Sequence, residues 1–197
     1  MLLNMSSLQH LFPINLNANW QNTVPEEVNT YVEDWLLDES SLTARLKANA
    51  KTFRLEVLGQ QITYCDEHEA CVYVKAGDRV LVREVILYCD DQPQVFARSL
   101  LPLTSLTGEQ KVLAELGEQP LGQVIFNSPT LKRKALQVAK FSTTSNLSPL
   151  NDALGLSQEM EFWGRRSTFL VNDKPFLVAE VFLPGALAYQ AKNETTS

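Results

Sequence analysis

Positive charge is missing from the start of this chain: no lysine or arginine precedes Arg45. Over all 197 residues, 17 basic residues face 23 acidic ones, for a net charge of −6 and a pI near 5.0. No basic stripe is available to follow a phosphate backbone, so no nucleic-acid partner is expected. An anionic ligand gets no help from the overall field and needs arginines placed locally. His10 and His68 are the only histidines. Neither has a neighbour suited to metal ligation or nucleophilic catalysis, which argues against a metal hydrolase or a His-based triad. The cysteines are Cys65, Cys71 and Cys89, an odd number without metal-site spacing, read as free thiols in a reducing cytoplasm. No run approaches the ~20 apolar residues that span a bilayer. The N-terminus lacks the charged segment and apolar core of a secretory signal. There is no Gly-rich phosphate loop, nucleophile elbow or CxxC pair. No metal and no cofactor is expected, and an enzyme built from this inventory works by binding and positioning.

What is present is globular: 45% hydrophobic and 20% charged residues, enough for one domain with a sizeable core. Its most informative stretch is Phe176–Pro184. The run is short, rich in Val and Phe, and bounded by the turn signal Asn172–Pro175, so it reads as a buried strand. Alternation puts Phe176, Val178, Glu180 and Phe182 on one face and Leu177, Ala179, Val181 and Leu183 on the other. Glu180 thus interrupts an apolar stripe. A carboxylate there must be paired, be protonated or face a polar cavity.

Residues 1–24 read as an irregular arm, and 190–197 as a polar tail. Between them, 25–189 reads as the domain. Pro25-Glu26-Glu27 is expected to open a helix, and Ser40 or Ser41 to cap a second one. Strands are expected at 51–59, around 62–65, at 71–74, at 79–89 and at 94–103. Thr107 can cap a helix ending near Leu116, and Pro120-Leu121-Gly122 begins a short helical piece. Residues 130–141 read as a strand with Leu131, Arg133 and Ala135 on one face and a solvated Lys132–Lys134 face opposite. Residues 142–158 read as a surface loop, and 162–170 as a strand. About six strands joined mostly by hairpins, with interspersed helices, make an α+β domain with an antiparallel sheet.

Charges inside buried strands are the site candidates. Arg83 and Glu84 are adjacent and must point to opposite faces; Arg98 and the Arg165–Arg166 pair follow. Arginine is the natural bidentate partner of a carboxylate. Spacing leaves two readings open: an Arg83–Glu180 structural ion pair, or two ends of a binding site.

Several pieces in order resemble the chorismate lyase family. They are Trp35-Leu36-Leu37 followed by Ser41-Leu42-Thr43, then Val82-Arg83-Glu84-Val85-Ile86-Leu87. Ala97-Arg98, Gln119-Pro120-Leu121-Gly122, Trp163-Gly164-Arg165-Arg166-Ser167 and Glu180-Val181-Phe182-Leu183-Pro184 complete the set. The resemblance runs from Trp35 to Tyr189. It implies a six-stranded antiparallel sheet with a buried ligand pocket beneath helical flaps. It also implies conversion of chorismate to 4-hydroxybenzoate and pyruvate, the first committed step of ubiquinone biosynthesis. In that picture Arg83 holds the ring carboxylate, helped by backbone N–H groups at Leu121 and Leu42, where a Met is familiar in the family. Glu180 meets the ring hydroxyl as anchor or base. Arg98 is our candidate for the enolpyruvyl carboxylate, ahead of Arg165 and Arg166. A closed pocket further implies product inhibition. A monomer with no membrane span is expected. The alternative is a non-catalytic binding domain for aromatic carboxylates, akin to transcription-regulator effector domains. With only Arg45 and Lys47 basic in the first 50 residues, no basic helix-turn-helix is expected there.

Overall fold

The computed structural model describes residues 8–191. Residues 1–7 of the expected arm and 192–197 of the expected tail lie outside them. One six-stranded, fully antiparallel sheet organises the chain. Its strands are β1 (Phe53–Tyr64), β2 (Arg79–Cys89), β3 (Gln92–Pro102), β4 (Lys132–Phe141), β5 (Phe162–Val171) and β6 (Lys174–Phe182), in the spatial order β1-β2-β3-β6-β5-β4. The stretch around Glu180 is therefore central, paired with β3 on one side and β5 on the other. Central position explains why both of its faces are apolar.

Two hairpins have two-residue turns with positive φ at both central residues: Asp90 and Asp91 (49° and 61°), and Asn172 and Asp173 (51° and 60°). Asn and Asp tolerate this left-handed region, and the turn twist matches that of the strands. The second turn fixes the register that places Arg165 opposite Glu180; in the first hairpin a bulge at Gln94 shifts the register by one residue and places Arg83 opposite Ser99.

Both faces of the sheet are covered. One face carries Val85, Leu87, Ala97 and Phe182 beneath helices α1 (Thr30–Leu36) and α2 (Leu42–Ala48), with Leu81, Phe169 and Val178 beneath a 3₁₀ turn (Gly108–Ala114) and helix α3 (Leu121–Ile125). The other face carries Ile86, Phe96, Val181 and Phe162 under Leu8, Ile14 and Leu16 of the N-terminal arm, with Leu150 of helix α4 (Ser148–Ala153) and Leu147 at its N-cap. Burying a large apolar side chain is worth roughly 1.5–3 kcal/mol, and Phe96, Phe162, Phe176 and Phe182 are all essentially inaccessible.

Several expected elements shift. Helix α1 starts at Thr30, where the Asn29 side chain accepts from the Tyr31 N–H; Pro25 instead begins a turn closed by Val28 N–H on its carbonyl. The expected strands at 51–59 and 62–65 are one, because β2 pairs along the whole of β1 past an irregularity at Leu58. Residues 71–74 then have no strand partner and form a loop that tucks Val74 under the sheet. Thr107 makes no capping bond, and the element after it is 3₁₀. The expected surface loop at 142–158 holds α4: Leu147, Leu150 and Leu154 share helical spacing, and Pro149 sits in its first turn.

Candidate active site

Beneath α2 and α3, the sheet and the helices leave a small cavity. Apolar walls come from Leu42, Leu55, Val85, Leu121, Phe169 and Val178. Arg83, Arg133, Arg165, Glu180, Ser99 and Thr43 supply the polar groups. This is the mixture expected of a small-molecule site: mostly apolar, with a few placed polar groups.

Arg83 forms one end. It is 3% exposed, and Nη2 donates to the carbonyls of Gly117 (2.9 Å) and Gln119 (3.2 Å). Its Nε and Nη1 make no hydrogen bond to any described residue. Burial pulls its pKa below the usual arginine range, as expected of a desolvated cation without a carboxylate partner. The two carbonyls it holds lie just before α3, whose first residue is Leu121. Amides in a first helical turn lack intrahelical partners, so the Leu121 N–H is free beside the guanidinium's segment. Leu42 is likewise the first residue of α2, where Ser41 Oγ caps by accepting from the Ala44 N–H at 3.3 Å.

Glu180 forms the other end. It lies two strands across from Arg83 and two register positions along, which puts the Cα atoms roughly 12 Å apart at ordinary strand spacings. No ion pair joins the two among the described residues; Glu180 Oε2 accepts from Arg165 Nε at 2.7 Å instead. Arg165 is fully buried, and its Nη1 donates to the carbonyls of Trp35 (3.1 Å) and Asp38 (2.7 Å). Glu180 Oε1 makes no hydrogen bond to a described residue, and the side chain stays 18% exposed.

The chorismate lyase family model matches residues 14–193. The chain belongs to the chorismate lyase family. A Psychromonas ingrahamii protein described as "probable chorismate pyruvate-lyase" is 40% identical over 90% of this chain and 96% of its own length. One from Pseudoalteromonas translucida, with the same description, is 38% identical over 90% and 98%. Among solved structures, the effector domain of PhnF from Mycobacterium smegmatis superposes with a TM-score of 0.56 at 16% identity, covering 75% of this chain and 90% of that one. A GntR-family regulator from Bacillus cereus gives 0.53 at 14%, covering 71% and 96%. These two share the fold.

Not every expected residue of this chorismate lyase family member reaches the cavity. Arg98, our candidate for the enolpyruvyl carboxylate, points to the opposite face. There its Nε and Nη2 donate to Glu69 (2.6 and 2.8 Å), its Nη1 to Glu84, and its Nη2 also to Asn15. Glu84 is fully buried, and its oxygens also accept from the Ile14 N–H at 2.8 and 2.9 Å. Burial pushes the Glu84 carboxyl up, against the pull of Ile14 and Arg98. Arg166 also lies on that face, buried rather than solvated, on Gln137 and the Glu69 carbonyl.

Arg133 was assigned no role in the sequence, yet it lines the cavity. Its register level with Phe169 explains this. Register moves from Arg133↔Phe169 to Ala135↔Thr168 and then Leu136↔Ser167. The extra residue puts Leu136, not Ala135, on the face of Arg133. The only sequence signal was the position of Arg133 on the side of Leu131, away from Lys132 and Lys134.

Proposed function

We propose that the protein is a chorismate pyruvate-lyase, converting chorismate to 4-hydroxybenzoate and pyruvate. The observation that carries this reading is the pairing of Arg83 and Glu180 at opposite ends of one largely apolar cavity. The ring carboxylate takes one free donor of Arg83, together with the Leu121 and Leu42 N–H groups. The ring hydroxyl donates to Glu180 Oε1. Held this way, the substrate loses the hydrogen of its hydroxyl-bearing carbon to the enolpyruvyl methylene. The neighbouring carbon–oxygen bond breaks, the ring becomes aromatic, and the enol ether leaves as pyruvate. Atoms and charge balance within the one molecule, and aromatisation drives the step. The cavity contributes orientation and exclusion of water.

α2 and α3 then act as the flaps of the pocket, and release of an enclosed product is slow, which gives product inhibition. In this reading the reaction opens ubiquinone biosynthesis in the cytoplasm, carried out by a monomer. The unpaired thiols support a reducing compartment. The test is direct: incubate purified protein with chorismate and assay pyruvate and 4-hydroxybenzoate. Stoichiometric formation of both is expected. Tight binding of 4-hydroxybenzoate without turnover would instead make the protein a binding module.

A further inference from the structure

Chorismate carries two carboxylates, and Arg83 accounts for one. This inference rests on the chorismate reading and extends it to the second. The enolpyruvyl ether sits on the ring carbon beside the hydroxyl-bearing one. With the hydroxyl at Glu180, the second carboxylate is delivered to the same end of the cavity. A carboxylate placed next to Glu180 is repelled unless a cation stands between them.

Three arginines line the cavity, and two of them are taken. Arg83 is at the far end. Arg165 has Nε on Glu180 and Nη1 on the Trp35 and Asp38 carbonyls, so its Nε–Nη2 fork is not open to a second carboxylate. Arg133 is different. Its Nη1 donates to the Asp38 carbonyl at 3.2 Å. Its Nε is buried without a partner among the described residues, and its Nη2 makes no hydrogen bond to any of them either. Nε and Nη2 form one side of the guanidinium fork, the side that grips a carboxylate with two parallel bonds. A buried donor with nothing to donate to is costly and is uncommon without a purpose. Register level with Phe169 sets this side chain on the cavity face, and the Phe169 ring, 5.0 Å away, supports its guanidinium.

We propose that Arg133 grips the enolpyruvyl carboxylate of chorismate, and then the carboxylate of the pyruvate formed from it. Charge agrees. Arg83, Arg133 and Arg165 against Glu180 leave an excess of two positive charges in the cavity, and chorismate is a dianion. Burial and the adjacent Arg165 cation both disfavour a charged Arg133, and a carboxylate on its fork offsets both.

The experiment uses Arg133→Met and Arg133→Lys with three ligands: chorismate for KM and kcat, 4-hydroxybenzoate for Kd, and 3-(carboxymethoxy)-4-hydroxybenzoate as an unreactive aromatic dicarboxylate for Kd. Arg133→Met is expected to raise the chorismate KM and the dicarboxylate Kd about 10–100-fold while 4-hydroxybenzoate binding stays within about threefold, the scale of one charge-assisted contact. Retained 4-hydroxybenzoate binding also shows that the variant is folded. Arg133→Lys, which keeps the charge and loses the fork, should fall between the wild type and Arg133→Met. Equal losses for mono- and dicarboxylate in both variants, or no loss for either ligand, overturn the proposal. If the wild type binds the dicarboxylate through Arg133 but makes no pyruvate from chorismate, the lyase reading falls and the anion site stands.

Discussion

Arg165 and Glu180 face each other across β5 and β6, and Arg165 Nε donates to Glu180 Oε2 at 2.7 Å. The same guanidinium reaches the carbonyls of Trp35 and Asp38. The acid at one end of the cavity and the turn between α1 and α2 thus share one cation. Arg83 plays the matching part at the other end, where it holds the Gly117 and Gln119 carbonyls that lead into α3. Each segment over the cavity is fastened to the sheet by an arginine that also lines it. A ligand that recruits these arginines acts on the cover as well as on the site.

Glu180→Gln separates anchoring from proton abstraction. In the proposed reaction an amide oxygen would still accept from the ring hydroxyl, and the hydrogen leaving the ring would end on the same molecule's methylene. Turnover should therefore fall by no more than about tenfold, against the roughly 10²–10⁴-fold that loss of a general base costs. Single-turnover rates with chorismate decide it, and a drop of the larger size would make Glu180 the base.

Arg83→Met removes a buried cation whose Nε and Nη1 have no partner among the described residues. Substrate and product carry the same ring carboxylate, so both should bind about 10–100-fold more weakly, as one charge-assisted contact to carboxylate is worth. Titration with 4-hydroxybenzoate and steady-state KM for chorismate check this. Unchanged affinity for both would remove Arg83 from the site.

The sequence shows the sheet well and the cavity in part, for physical reasons. Strand β6 is legible because a central strand is apolar on both faces, so one carboxylate stands out. The Asp90-Asp91 and Asn172-Asp173 turns are legible because few other residues accept positive φ at both positions. The opposite facing of Arg83 and Glu84 follows from strand alternation alone. Arg98 could not be separated from Arg83 in this way. Both are arginines in apolar strands, and only pairing register reveals that Arg98 shares its face with Glu84. Alternation sets Arg133 beside Leu131, away from Lys132 and Lys134, but only the pairing register, level with Phe169, shows that this face opens on the cavity. Helix α4 was masked by the polar residues around three leucines.

Arg98→Met tests the structural role that register assigns. It leaves Glu84 and Glu69 buried without their cation, which should cost roughly 3–5 kcal/mol of unfolding free energy. Adding Glu84→Gln should recover part of that loss, since one of the two stranded charges disappears. Urea unfolding measures both effects. A variant of normal stability with a raised chorismate KM would return Arg98 to the substrate.

The thiols report on the cover of the cavity. Burial, then the Glu69 charge, pushes the Cys65 thiol up to about 11; burial, then Asp90, pushes Cys89 to about 11. Thiolate is the reactive form, so at pH 7.5 less than about 0.1% of either is available to an alkylating agent, and the fraction rises about tenfold per pH unit. Cys71 is partly exposed and should label first, giving one rapid equivalent in the native protein and three in denaturant. Cys89 Sγ lies 3.7 Å from the Leu46 carbonyl of α2 and donates to it, so an alkyl group fits there only when α2 moves away. Bound 4-hydroxybenzoate, by holding α2 down through the Leu42 N–H, should slow Cys89 labelling and leave Cys71 unaffected. Mass spectrometry of labelled peptides across pH 7.5–9 resolves the three sites. Cys89 labelling that is as fast as that of Cys71 and indifferent to ligand would mean that α2 does not close over the cavity.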